Sequence, residues 1–231
     1  MEQTRIVMVN GISNPLGAVI VDHFRRCGST VLGLTDASDE RAADVDEVFA
    51  VDTTDEKQLG KVFGTVRKTH KRLDVLVNLR GVAPMNLTRL LTRPVLDQAM
   101  QTNFANTFFT CQAALSLLKK SGAGRILNTT TLQVPMASMG TAAYSGTRAA
   151  VEQFTRVLAR ETASMNITVN ALGLTFVALD GAADDSAADE VVAKTILQRR
   201  VTPAELCHAV DFLTAATAGG LTGQVVYLGG V

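Results

Sequence analysis

The segment AAYSGTRAAVEQF, residues 142 to 154, sets Tyr144 and Arg148 four residues apart in a run that reads as a helix, so both lie on one face. A tyrosine that gives or takes a proton near neutral pH must have its pKa lowered from about 10 at a cost of about 4 kcal/mol, and a nearby cation supplies much of that. Arg148 brings the charge. Its planar, always protonated guanidinium is poorly suited to a proton relay, so the pair offers electrostatic stabilisation without an exchangeable proton on the cation. The plainer alternative is a tyrosine and an arginine that merely stack at i and i+4. A second candidate is the turn NGISNPLG at residues 10 to 17. There Gly11 and Gly17 bracket a place where backbone amides and a helix N-terminus can receive a pyrophosphate. Pro15 stands in the middle, where its ring adds bulk and removes an N–H donor, so these residues read equally as a strand-to-helix turn. Asp36 can accept from a ribose hydroxyl and repel a 2′-phosphate, or is a solvated loop carboxylate. Asp52 can reach an adenine amino group or cap the next helix.

Short apolar runs positioned between helical patterns must hold these residues. RIVMVN (5–10), TVLGLT (30–35), VFAVD (48–52), LDVLVNL (73–79), RILNTTT (125–131), ITVNALGL (167–174) and QVVYL (224–228) read as strands. Helical stretches at 16–27, 55–70, 95–120, 143–164 and 203–216 lie between them. The alternation predicts βαβ units in one Rossmann-type, doubly wound domain over 1–231, with a seven-stranded, mainly parallel sheet and helices on both faces. Uninterrupted apolar strands agree with a sheet covered on both sides. Thr202, Pro203 and Glu205 predict a capping box at the start of the last helix. The Ala- and Asp-rich stretch 179–190 reads as a mobile acidic loop or short helix, within a mobile substrate-side loop over 175–200.

Composition narrows the partners. Lys plus Arg equals Asp plus Glu at 22 each, so no basic face for nucleic acid or anionic membrane is expected. Cys27, Cys111 and Cys207 are far apart and unmatched by the three histidines, which argues against a metal site or a disulfide framework. No segment approaches the roughly 20 apolar residues of a membrane span, and the apolar run at the start is short for a signal peptide. A reduced, cytoplasmic setting is the expectation.

In order and spacing these segments resemble the short-chain dehydrogenase/reductase family over nearly the whole chain. NGISNPLG resembles its glycine motif, VDTTD its adenine-side aspartate, LDVLVNLRG its strand-four Asn-Asn-Ala-Gly and MQTNF the helix with its structural asparagine. GRILNTTT resembles the strand ending in the catalytic serine, YSGTR the Tyr-x-x-x-Lys motif, and LTGQVVYLGG the C-terminal strand. The resemblance implies a catalytic set of Asn103, Thr131, Tyr144 and Arg148, with Thr131 replacing serine and Arg148 replacing lysine. It implies a cofactor cleft at Gly11, Ser13, Asn14, Gly17, Asp36, Asp52, Asn78 and Gly81. Pro15 stands for the central glycine, Leu79-Arg80 for Asn-Ala, Leu174-Thr175 for Pro-Gly and Leu228 for an aspartate. Arg80 can lie across the nucleotide groove, bind a phosphate from a shifted angle, or snorkel to solvent.

Three functions follow from the resemblance and its departures. The first is a catalytically impaired subunit that pairs with an active homologue in a hetero-oligomer. The second is an active NAD(P)(H)-dependent oxidoreductase for a small carbonyl or acyl substrate or a secondary alcohol, with Thr131 and Arg148 as working replacements. The third is a sensor for a nucleotide or acyl ligand. NAD(H) is favoured over NADP(H) because of Asp36, and its binding is expected to be weak or lost. A dimer or tetramer, homo- or hetero-oligomeric, is implied by the family's use of the 95–120 and 143–164 helices as a shared bundle between subunits.

Overall fold

A computed structural model of the chain describes residues 4 to 36, 44 to 179 and 186 to 231. The first half runs β1 (Ile6–Asn10), α1 (Pro15–Arg26), β2 (Thr30–Thr35), β3 (Glu47–Ala50), α2 (Glu56–Thr69) and β4 (Val75–Asn78). Next come α3 (Arg93–Ala99), a π-helical turn over Met100–Ala105, α4 (Asn106–Ser121), β5 (Gly124–Thr131) and α5 (Gln133–Met136). The chain ends with α6 (Ala142–Thr162), β6 (Ile167–Leu174), α7 (Ser186–Val192), α8 (Pro203–Thr214) and β7 (Val225–Tyr227).

The strands form one sheet in the order β3-β2-β1-β4-β5-β6-β7, and every neighbouring pair is parallel. The expected mainly parallel sheet is thus wholly parallel. Its central strands are buried because helices cover both faces. Met8, Leu32, Phe63, Leu117, Ile126 and Leu158 fill the layer under α2, α4 and α6. Val7, Val9, Phe24, Val31, Leu206 and Val210 fill the opposite layer, under α1 and α8. Strand order reverses at β1, which pairs with β2 on one side and β4 on the other. The carboxyl ends beside such a switch point form the crevice where ligands bind.

Two expectations need correction. The 95–120 stretch is not a single regular helix: Met100–Ala105 forms a π-turn between α3 and α4 and carries Asn103. The cap of α2 is Asp55, whose side chain accepts from the Lys57 and Gln58 amides; Asp52 instead closes a turn on Thr54. Asp55 wins because its backbone is extended immediately before the first helical residue, as an N-cap requires. The box at the start of α8 forms as the sequence predicts, with Thr202 and Glu205 satisfying each other's backbone amides. Of the 175–200 stretch, Val177 bridges Val201 and α7 occupies Ser186–Val192, while 180–185 lie outside the described residues. No helix among the described residues is long and apolar enough to cross a membrane.

Candidate active site

Three neighbouring strands each carry an asparagine in register beneath the crevice. Asn10 of β1 lies beside Asn78 of β4, and Asn78 beside Asn128 of β5. Their carboxamides form a buried row. Asn10 Nδ2 donates to Asn78 Oδ1 at 3.0 Å and to Asn106 Oδ1 at 2.8 Å, and Asn78 Nδ2 donates to Asn128 Oδ1 at 2.9 Å. Asn128 Nδ2 continues to Thr155 on α6, and Asn106 Nδ2 to Thr53 after β3. Buried polar groups persist where partners satisfy them, and a row this connected fixes the strand ends and both flanking helices relative to one another. Asn78 therefore serves as a structural tie under the cleft. Asn10, Asn106 and Asn128 were not singled out by the sequence reading, although VMVN, VLVN and RILN repeat an apolar run closed by asparagine.

The turn after β1 is tightly closed. Gly11 has φ +100°, and a Cβ there would stand 2.9 Å from the Arg80 backbone nitrogen, so only glycine fits. Gly17 lets α1 pack on this turn, since a Cβ would stand 2.6 Å from the Gly11 carbonyl. Gly11 N and Ile12 N both donate to Leu34 O, and Asn14 N donates to Gly11 O. Asn14 caps α1 by accepting from Leu16 N, and Pro15 is the first helical residue. Proline at that position suits the helix while giving the crevice no N–H. Ser13 is tied through its hydroxyl to Thr35.

Across the cleft Arg80 reaches outward. Its guanidinium forms an ion pair with Asp36 and donates to Thr53 Oγ1 at 3.1 Å. Of the three paths open to this side chain, the structure shows the one across the groove. The cleft of about 320 Å³ is lined by Ser13, Pro15, Asp36, Arg80, Gly81 and Thr102 among others. Asp52 is exposed and is not among the residues lining it.

The candidate catalytic residues converge at the far end. Asn103 is fully buried, accepts from Val82 N at 2.8 Å and donates to Val82 O and Thr147 Oγ1 at 2.9 Å each. All its capacity goes to pinning the loop after β4 against α6. Tyr144 and Arg148 sit one turn apart on α6, with the guanidinium carbon 5.9 Å from the centre of the phenol ring. Arg148 is buried. Its Nη1 donates to Thr129 O at 3.0 Å and its Nη2 to Arg80 O at 3.3 Å, while Nε has no partner. Burial pulls the guanidinium pKa below its ordinary value, and the adjacent Tyr144 phenol opposes that shift. Gly81 leaves room for this cation, because a Cβ on it would overlap Arg148 Nη2. Deeper in α6, Glu152 accepts from Thr130 Oγ1 and Tyr227 OH, each at 2.8 Å, and joins β5, α6 and β7. Burial, followed by the bond to Glu152, raises the Tyr227 pKa above its ordinary value.

Thr131 ends β5 and accepts from the Gln133 amide at 3.2 Å. With Tyr144 it faces an apolar cavity of about 280 Å³. The site thus has two halves that meet at Arg148 and Gly81: a polar groove at the switch point and an apolar pocket beside the tyrosine.

This arrangement is not unique to the chain. Residues 11–230 match the family model described as Enoyl-(Acyl carrier protein) reductase. The 3-oxoacyl-(acyl-carrier-protein) reductase of Vibrio harveyi is 28% identical over 235 residues, covering 98% of this chain and 96% of that protein. The corresponding reductase of Aquifex aeolicus is 27% identical, with 99% and 97% covered. The crystal structure of a protein assigned as a gluconate dehydrogenase from Agrobacterium tumefaciens superposes with a TM-score of 0.86 at 25% identity, over 98% of this chain and 94% of that one. The matches run through both halves of the site and the whole sheet, so the chain belongs to the short-chain dehydrogenase/reductase family of oxidoreductases.

Proposed function

We propose that this protein is a short-chain dehydrogenase/reductase subunit whose own nucleotide groove is closed, and that it acts by pairing with a homologue that retains a working site. The observation that carries the reading is Arg80, which spans the groove from Asp36 to Thr53. The family's NAD(P)(H) needs a ribose acceptor past β2 and amides at the head of α1. Asp36 could serve as the first, but Arg80 holds it. At the head of α1, Gly11, Ile12 and Asn14 amides bond within the fold, Leu16 N bonds to Asn14 and Pro15 has none, which leaves the Ser13 amide without a partner among the described residues. The residues present do not fit a dinucleotide as they stand. At the far end the Arg148 guanidinium is tied to two backbone carbonyls and is no mobile ammonium. Tyr144 and Thr131 line one apolar pocket, which supports a substrate side less altered than the cofactor side.

Pairing is supported by an apolar face on α4 and α6. Phe104 of the preceding π-turn packs there with Phe108 and Phe154, whose ring centres lie 4.9 Å apart, and the half-exposed Val157 follows one turn later. Members of the family commonly form oligomers, and a face of this kind suits a related subunit.

Calorimetric titration of NADH and NADPH tests the closed groove. The wild type is expected to show no saturable binding at millimolar ligand. Arg80→Ala, which frees Asp36 and empties the groove, is expected to improve affinity by about tenfold or more, since a site held shut binds in proportion to its open fraction. Micromolar binding by the wild type would overturn the proposal.

A further inference from the structure

The apolar pocket contains a polar group that the family assignment does not account for. Gln133 opens α5 just past Thr131, and only 6% of it is exposed. Its backbone amide is bound to Thr131, yet its side-chain Oε1 is buried without a partner and its Nε2 makes no hydrogen bond among the described residues. Leaving a buried carboxamide unpaired is costly, and each such group in a folded protein calls for an explanation. Thr175, just past β6, has a buried hydroxyl with no partner and lines the same cavity. Two orphaned polar groups therefore border one pocket, whose other lining residues include Leu132, Leu174, Phe176 and Val191.

We propose that Gln133 is the specificity-determining residue of this pocket and that it selects a small, uncharged ligand bearing an amide on an apolar body. A carboxamide offers donors and an acceptor side by side, which an amide matches in a paired arrangement. Neither end of Gln133 is held by the protein, so either atom can turn to the ligand. Among the described residues that line the pocket none is charged, which disfavours a carboxylate or an ammonium group. The volume of about 280 Å³ lies just below the usual range of small-molecule sites, which favours a short ligand over a long acyl chain. Thr175 supplies a second hydroxyl contact. The inference rests on the reading that the substrate side outlasts the cofactor side, and it requires no nucleotide.

Ligand-observed NMR titration of the full chain without cofactor provides the test, with hexanamide and methyl pentyl ketone as probes. The two have the same shape and differ by an amino group in place of a methyl. Hexanamide is expected to bind the wild type about tenfold more tightly than the ketone, the effect of one additional satisfied polar contact. In Gln133→Leu that ratio should fall to about one while the ketone still binds. Gln133→Met, which keeps an unbranched side chain, should behave in the same way and guards against a folding defect in the first variant. Equal affinities in the wild type, or a preference for hexanamide that survives both variants, would overturn the assignment. Failure here with no NADH binding would leave the closed-groove reading standing, whereas NADH binding with an intact amide preference would remove only that reading.

Discussion

At the scale of single residues, Tyr144 and Arg148 lie one turn apart on α6 with the cation fixed by backbone carbonyls. A lysine ammonium is a compact, rotatable donor; Arg148 instead spends Nη1 and Nη2 on the carbonyls of Thr129 and Arg80 and sits against Gly81 because that residue has no side chain. The guanidinium thus lies beside the phenol ring and is held in place by two backbone carbonyls. Arg148→Lys alone is therefore expected to leave carbonyl reduction with NADH or NADPH within about threefold of the wild-type rate, because catalytic groups act as a unit and Arg80 still spans the groove. If the wild type reduces a carbonyl at all, Tyr144→Phe should abolish it. A steady-state assay over a panel of ketones reads both outcomes, and robust turnover from Arg148→Lys would show that the cation was the lesion.

At the scale of elements, helix ends and strand ends do most of the positioning. Glu205 at the head of α8 takes a two-pronged contact from Arg199, with its oxygens at 2.6 and 2.9 Å, and accepts from the Thr202 backbone and hydroxyl. Arg199 first, then Thr202, hold its carboxyl down at about 2. A glutamate in the unfolded chain titrates near about 4.3. Because the folded value is the lower one, the contribution is complete above the unfolded value and disappears as pH falls through about 2. Thermal unfolding of wild type and Glu205→Gln should differ at pH 6 and converge as the pH is lowered toward 2. The strands and helices were legible in the sequence because apolar runs, caps and glycines act locally, and β2, β6 and α8 begin where their residues predict. The π-turn around Asn103 was not, since the turn of about 100° that one extra residue gives the apolar face does not stand out in a segment of mixed polarity. Within the site, the Tyr144–Arg148 pair was readable from spacing and Thr131 and Gly81 from the family resemblance, whereas the unpaired Gln133 and the Arg80–Asp36 contact depend on atoms brought together across the sheet.

At the scale of the whole molecule, the proposed function places the work in assembly, through the apolar Phe104, Phe108 and Phe154 face. Light scattering coupled to size exclusion is expected to show a dimer or tetramer, with a paralogous subunit preferred over self-association when both are co-expressed. Stable interfaces of this sort bury on the order of 2,000 Å² or more. A strict monomer in both samples at micromolar concentration would remove the pairing model. The asparagine row under the cleft has a consequence of another kind, in chemical ageing. Asn10 is followed by Gly11, the sequence pair in which an open chain most readily loses ammonia by attack of the glycine amide on the asparagine side chain. Here that amide is bound to Leu34 and the carboxamide is held by Asn78 and Asn106, so the native sheet withholds both reactants. A molecule that opens far enough to react returns with an aspartate or isoaspartate in the row, where the side chains that met the carboxamide, Asn78, Asn106 and Thr110, carry no charge to balance it. The damage would thus record each excursion from the native sheet and make the next one easier.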